Sequence, residues 1–299
     1  MKVISWNLAY WKPAHFKSRE NRCRQWTHLL ALEPDIVLLQ ECRPTDFERC
    51  ASKSAQEEYS VFGAARPKGG ACSAILARKA LRPTQDADPD SWLDLFGDYV
   101  SRVRLHHPTI GEVRVASVHA IAQEVKFPTV TDADHTRIKR TGCKRAWHND
   151  LAAHALRGWA EGAEFLIGGD WNTARAFDLL YDKRWPNAGH EFFEVTKCWG
   201  WCESLRKFHD GEIQTYFDRN PSAYELDHLF TSERLHQQLK KCDVFTDSII
   251  REVSDHAPIV ADFKLGKIVA PSNRFSDWSA ETVTITKPTV PPAVGDKKA

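Results

Sequence analysis

Phe165-Leu166-Ile167-Gly168-Gly169-Asp170-Trp171-Asn172 is an apolar run that stops on two glycines and then releases two side chains able to bind a metal or move a proton. The glycines let the backbone turn tightly, and alternation points Asp170 and Asn172 to one side with Trp171 opposite, towards a core. The same layout recurs along the chain. Asn7 follows Val3-Ile4-Ser5-Trp6, Glu41 follows Ile36-Val37-Leu38-Leu39-Gln40, and His119 follows the run from Val113 to Val118. Asp227 opens Leu226-Asp227-His228-Leu229-Phe230, and Asp255-His256 stand just before Pro258-Ile259-Val260-Ala261. Buried strands fix a backbone, and polar groups at their ends converge from distant parts of a sequence on one cleft.

Between the first two runs a helical pattern covers residues 19 to 32, with Cys23, Trp26, Leu29 and Leu30 on one face and Pro34 closing it after Glu33. The opening unit is therefore strand, helix, strand. Gly69-Gly70 leads into a small-residue strand over 71 to 77, and a strand pair spans 99 to 105 and 113 to 119 around Pro108 and Gly111. Helix alternating with strand, then strands pairing directly, predicts an α/β fold with two packed mixed, mainly antiparallel sheets.

The 299 residues, 42% of them hydrophobic, are enough for one large core. We read one domain over 1–266 and a flexible Pro/Thr/Lys-rich tail over 267–299. With 41 basic against 40 acidic residues, overall charge selects no polyanionic partner, so such a partner must be held locally. Residues 120 to 145 provide a locally basic insertion carrying Arg137, Lys139 and Arg140, and Arg175 and Arg184 follow Asp170. These five are the candidate substrate contacts, with Trp185 and Trp199 available either to stack on bases or to pack in the core. The eight cysteines form no Cys-x-x-Cys pair, which favours reduced thiols over disulfide staples, and Cys198 and Cys202 lack a second half for a zinc site. No apolar stretch approaches the roughly 20 residues of a membrane span and no secretory segment precedes Asn7, which leads us to expect a soluble cytoplasmic protein.

Glu41 and Asn7 are hard oxygen donors of the kind Mg²⁺ accepts, with Mn²⁺ as the alternative. A carboxylate at the end of a buried strand is costly without such a partner. His256 is the candidate general base because imidazole titrates where water needs help losing a proton, and Asp227 can accept its other ring N–H. Asp170 can position water or protonate a leaving oxygen, while Asn172 donates to a phosphate oxygen or completes a metal shell.

Ser5-Trp6-Asn7, Leu39-Gln40-Glu41, Ser117-Val118-His119, Gly168 to Asn172, Leu226-Asp227-His228 and Ser254-Asp255-His256 together resemble the endonuclease/exonuclease/phosphatase superfamily, in its deoxyribonuclease-I-like form. The resemblance spans residues 1 to about 263. It implies a four-layer α/β/β/α sandwich and Mg²⁺-dependent attack of water on a phosphoester. By motif position it implies that Glu41 binds the metal with Asn7 close by, and that Asp255 joins the metal or hydrogen-bond shell. Asp170, Asn172 and His119 would serve nucleophile and phosphate, and Asp227 would orient His256. His119 stands where apurinic endonucleases usually carry Tyr, which weighs against an abasic-site substrate. The leading expectation is a nuclease acting on DNA or RNA. The alternative is a phosphoesterase of a lipid headgroup, inositol phosphate or other small phosphoester. A non-catalytic binding protein is disfavoured because every position of the set is filled.

Overall fold

In the computed structural model, which describes residues 1–10, 18–63, 71–86, 97–121, 148–176, 188–217 and 224–265, the expected strand-helix-strand opening forms. It consists of β1 (Lys2–Asn7), α1 (Arg19–Ala31) and β2 (Ile36–Cys42), with β1 and β2 parallel from Val3↔Ile36 to Asn7↔Gln40. Ser18 caps α1 by accepting from the Asn21 N–H, and the helix ends just ahead of Pro34. α2 (Pro44–Cys50) and α3 (Lys53–Glu58) lead into β3 (Tyr59–Gly63) and β4 (Cys72–Arg78), and β4 runs antiparallel to both β2 and β3.

A second sheet follows. β5 (Thr84–Gln85), β6 (Val100–His107) and β7 (Gly111–His119) are antiparallel neighbours, and β8 (Glu164–Asp170) lies parallel to β7 after the helix α4 (His148–Ala160). α5 (Ala188–Cys198), β9 (Cys202–Glu203) and β10 (Asp227–Thr231) complete that sheet. The chain then returns to the first sheet through α6 (Glu233–Gln237), β11 (Leu239–Val244), α7 (Ser248–Val253) and β12 (Ile259–Phe263). The strand orders are β11-β12-β1-β2-β4-β3 and β5-β6-β7-β8-β10-β9, both six-stranded and mixed.

Three apolar clusters define four layers. Val3, Ile36, Leu38 and Ile75 of the first sheet meet Val103, Val115, Leu166 and Leu229 of the second in the centre. On the first sheet's outer face Ile4, Trp6, Val37 and Leu39 pack against Trp26, Leu29, Ile250 and Val253 of the helices. On the second sheet's outer face Val118, Ile167 and Phe230 pack against Leu151, Leu156, Phe192 and Phe193. Strands covered on both faces must be apolar at successive positions, which is why these strands read as continuous runs rather than alternating ones. The result is the α/β/β/α sandwich that the motif pattern implies.

Two readings change. Cys23 of α1 and Cys50 of α2 form a disulfide with Cα atoms 4.7 Å apart, so the expectation of reduced thiols fails for this pair. Linear spacing hides it because the two meet only when α1 and α2 pack side by side. The basic residues Arg137, Lys139, Arg140 and Arg184, Trp185, and the tail over 267–299 lie outside the described residues.

Candidate active site

Five strand ends meet at one edge of the sandwich. β1 delivers Asn7, β2 Glu41, β7 His119, β8 Asp170 and β10 Asp227. Each side chain is presented by a local device that the sequence supplies. Glu41 sits at a register shift where β2 slips against β4 between Leu39 and Cys42, and its φ of 46° is left-handed. Such a bulge re-aims a side chain that regular pleating would direct elsewhere. Gly169 has φ 145°, and a Cβ there would stand 1.9 Å from the Val118 carbonyl oxygen. Only glycine lets β7 and β8 close up at the point where His119 and Asp170 are register partners.

The two sheets are joined beneath the cleft by polar contacts. Gln40 donates from Nε2 to Ser117 Oγ at 3.0 Å, and Ser117 Oγ donates to the Leu39 carbonyl at 2.8 Å. The His256 loop is fastened to β1, since Trp6 Nε1 donates to the His256 carbonyl and Ser254 Oγ donates to the Asn7 carbonyl. Thr215 Oγ1 accepts from the backbone N–H groups of Leu226 and Asp227, and the Ala257 N–H donates to the Thr215 carbonyl. Tyr216 packs its ring 4.9 Å from that of His256.

Within this frame His256 Nδ1 is 2.8 Å from Asp227 Oδ2, and His256 Nε2 is 3.8 Å from Asp170 Oδ2. Asn7 Nδ2 donates to Asp170 Oδ2 at 2.9 Å and reaches Glu41 Oε1 at 3.4 Å. His119 Nε2 is 3.6 Å from Glu41 Oε1 and 3.9 Å from Asp170 Oδ2. Asn172, also left-handed at φ 48°, donates from Nδ2 to the Ala120 carbonyl, while its backbone N–H donates to Asp170 Oδ1. Trp171 is fully buried among Phe192, Trp201 and Phe230, on the core side that alternation assigns to it. Asp255 adjoins the cluster and adds its negative charge beside His256.

The electrostatics follow from burial. Loss of solvent drives the Asp170 carboxyl up to about 7, with the Asp227 and Glu41 charges adding to that and His256 opposing it. Burial disfavours the charged form of His256, yet the Asp227 and Asp170 carboxylates outweigh it and lift the imidazole to about 10. A hard divalent cation suits this donor set on two counts. The carboxylates of Glu41, Asp170 and Asp227 crowd a nearly dry cleft, and Asp227 Oδ1 is buried there without a hydrogen-bond partner. One oxygen each of Asp170 and Asp227 and one nitrogen of His256 lie within 4.8 Å of one another.

The structure redirects one candidate and adds another. Arg175 holds Glu203 with both terminal nitrogens, at 3.1 and 2.7 Å, and its guanidinium stacks 3.8 Å above the Phe193 ring. Its charge is therefore engaged by Glu203 inside the protein. Trp199 packs on Trp201 and His154 in the outer helical layer. Arg43, two residues after Glu41, lies 5.4 Å over the Tyr10 ring and lines a recess with Glu41, Arg22, Trp26 and Asp46. No acidic partner holds Arg43 among the described residues. Its position beside Glu41 was the one signal in the sequence, and a lone arginine before a proline carries little weight unaided.

A four-layer sandwich with acids and imidazoles gathered at its strand ends is the architecture of phosphoester-cleaving enzymes of one family. The chain belongs to the Endonuclease/Exonuclease/phosphatase family, whose model matches residues 4–256, and it is accordingly a phosphoester hydrolase. Among solved structures it is similar to the 3'-5' exonuclease NExo from Neisseria meningitidis, at 22% identity and TM-score 0.59, covering 88% of this chain and 99% of that one. It is also similar to the AP endonuclease LMAP from Leishmania major, at 17% identity and TM-score 0.61, covering 87% and 86%. A third likeness is to the mannosyl-6-phosphatase Bt3783 of Bacteroides thetaiotaomicron, at 19% identity and TM-score 0.57, covering 88% and 99%. At these identities the likeness concerns the fold. No curated protein matches the chain in sequence. No helix among the described residues is long and apolar enough to cross a membrane.

Proposed function

We propose that the protein is a divalent-metal-dependent phosphodiesterase acting on nucleic acid, with His256 as general base. The observation that carries this reading is the buried pair His256–Asp227, 2.8 Å apart, set within reach of Asp170 and the Asn7–Glu41 pair in one cleft. Water gives its proton to His256 as its oxygen bonds to phosphorus, and the bond from phosphorus to the leaving oxygen breaks. Asp227 holds the ring by Nδ1 so that Nε2 faces the reacting side. Asp170, raised towards neutrality by burial, keeps a proton that it can pass to the leaving oxygen. Asn172 and His119 supply donors for the non-bridging oxygens.

Glu41, Asn7 and Asp255 would hold Mg²⁺ or Mn²⁺. The cation supplies positive charge against the phosphate, reducing its repulsion of an incoming nucleophile. Nucleic acid is favoured over a small phosphoester by the open guanidinium of Arg43 on Tyr10, an arginine beside an aromatic face that suits a phosphate next to a base. Two structurally similar proteins, the Neisseria exonuclease and the Leishmania AP endonuclease, are nucleases by name, which supports the same choice. The domain of 1–266 and its 267–299 tail, and a cytoplasmic location, belong to the same proposal.

The second reading, a phosphatase of small phosphoesters, is favoured by the likeness to the Bacteroides sugar phosphatase and by the engagement of Arg175 with Glu203. Incubating purified protein and Mg²⁺ with single- and double-stranded DNA, RNA, an inositol phosphate and a sugar phosphate separates the two. Cleavage of a nucleic acid that disappears in His256→Ala is expected. Hydrolysis of the small phosphoesters alone overturns the nuclease reading.

A further inference from the structure

Behind the cleft, on the face of β10 opposite Asp227, His228 is completely buried in a cluster of charged side chains. Its Nδ1 lies 3.4 Å from Glu203 Oε1 and 3.4 Å from Glu225 Oε1. Its Nε2 lies 2.9 Å from the carbonyl oxygen of Thr173. A carbonyl can only accept, so Nε2 carries a hydrogen. Nδ1 between two carboxylates carries one as well, because a lone pair aimed at two anions would be repelled. The ring is therefore a cation whose Nε2 hydrogen is committed to Thr173, while its Nδ1 side is held between the two carboxylates by charge and makes no hydrogen bond. Burial alone would discharge it, yet Glu203 and Glu225 hold it up to about 10.

The same cluster grips both loops that bound the cleft. Glu225 Oε2 accepts from the Ile213 N–H and from Arg206, each at 2.5 Å, on the segment that continues to Thr215 and Tyr216. Glu203 takes the Arg175 guanidinium, and the Arg175 and Ala176 N–H groups donate to Glu212. The turn from Asp170 to Thr173 is tied to Ala120 at Asp170 and Asn172, through the Ala120 N–H to the Asp170 carbonyl and Asn172 Nδ2 to the Ala120 carbonyl, while the Thr173 carbonyl is met by His228. Trp171 N–H donates to the Leu226 carbonyl, and Asn172 takes the left-handed region, which asparagine tolerates better than other non-glycine residues.

We propose that His228 is a positioning residue for hydrolysis: by donating from Nε2 to the Thr173 carbonyl, it locks the Asp170–Thr173 turn against the strand that carries Asp227. Asn172 is thereby kept left-handed, with its backbone N–H on Asp170, and Asp170 and Asn172 hold their places in the cleft. The inference rests on the catalytic reading of Asp170 and Asn172 given above.

Glutamine places its amide nitrogen near the position of Nε2, whereas asparagine reaches only that of Nδ1. His228→Gln preserves the donor to Thr173 and His228→Asn removes it, while both lose the charge. With phosphoester cleavage as the assay, His228→Asn is expected to lower kcat roughly ten- to hundredfold with KM changed less than about threefold. His228→Gln is expected to recover most of that kcat. Amide hydrogen exchange over residues 170–176, followed by mass spectrometry, should quicken in His228→Asn and stay near wild type in His228→Gln.

Equal loss of kcat in both variants, with equal loss of thermal stability, overturns the positioning role and leaves only the buried charge. Unchanged exchange over 170–176 in His228→Asn overturns it as well. If the wild type cleaves no phosphoester the catalytic reading fails, and the exchange comparison still decides whether His228 holds the turn. Should His228→Asn not fold, the ring ¹⁵N spectrum of the wild type at pH 7.5 decides. Two protonated nitrogens are expected at His228, and an unprotonated Nε2 overturns the proposal.

Discussion

Asp170 and Asp227 stand directly opposite one another on the antiparallel strands β8 and β10, two buried carboxylates facing each other across one register position. Like charges so placed repel, and in a dry site the repulsion is stronger than on a surface. His256 relieves it by bonding Asp227 at 2.8 Å and lying 3.8 Å from Asp170. A proton shared among three buried groups is a device for chemistry more than for stability, and each part of it can be tested.

The pH profile should report His256. The unprotonated form of His256, lifted to about 10, grows as pH rises, while Asp170 keeps the proton it donates only up to about 7, so kcat/KM is expected to climb up to about pH 7 and to stay level from there to about 10. In Asp227→Asn the strongest source of that lift is gone. The level region should then be lost, with kcat/KM falling above about pH 7, and kcat should be about a hundredfold lower or more because the ring is no longer held by a charged partner. A wild-type profile already flat from about pH 5 to 7 would overturn the pairing of His256 as base with Asp170 as acid.

Binding of a divalent cation should be visible without any substrate. A cation held by Glu41, Asn7 and Asp255 offsets the negative charge of the cleft and stabilises the fold, by about 2.7 kcal/mol at a hundredfold excess over Kd. In differential scanning calorimetry Mg²⁺ or Mn²⁺ should raise Tm by roughly 5–10 °C. Glu41→Gln should abolish most of that rise, and EDTA should abolish turnover. A Tm indifferent to both ions counts against a metal at this cleft.

Replacing Arg43 by alanine tests the substrate contact. An arginine on a phosphate is a charge-assisted contact, and its loss should raise KM for nucleic acid about tenfold while kcat stays within about twofold. Steady-state kinetics on an oligonucleotide and on a small phosphodiester separate the effects. An equal change on both substrates would remove Arg43 as support for nucleic acid, and no change in either KM would remove it from substrate recognition.

Gly169→Ala should be among the most damaging single changes. Its methyl would meet the Val118 carbonyl at 1.9 Å in a conformation already unfavourable for alanine, so a loss of about 3–5 kcal/mol is expected from urea denaturation. A loss under about 1 kcal/mol would mean that β7 and β8 can separate at His119.

The Glu203–His228 cluster should leave its mark on stability against pH. Burial raises the Glu203 carboxyl, but His228 and Arg175 more than reverse this and hold it to about 2, against an ordinary 4.5. Its contribution is full above pH 4.5 and is lost as pH falls towards 2. That of His228 is full below 6.5 and is lost as pH rises through about 10. The stability gap between wild type and Glu203→Gln, about 3 kcal/mol or more, is therefore expected to be widest between pH 4.5 and 6.5. Chemical denaturation across pH 2–10 measures it, and a gap independent of pH would refute the assignment.

The strand ends were legible in the sequence because each is a local event. Apolar runs covered on both faces must be continuous, and a run that ends in Asn7, Glu41, His119 or Asp170 shows where a buried strand meets the cleft. The sequence alone thus determined the layered α/β class and the residue types of the site. It could not determine which distant charges neutralise one another. Arg175 reads as a free cation near Asp170, and only the register of β9 and β10 sets Glu203 beside it. Cys23 and Cys50, separated by 27 positions, become bonded only because α1 and α2 pack together. His228, one residue from Asp227, gives no local sign that its Nε2 donates to the turn after Asp170. Burial and strand order are short-range in sequence, whereas charge pairing acts through space, and only the tertiary structure brings its partners within reach.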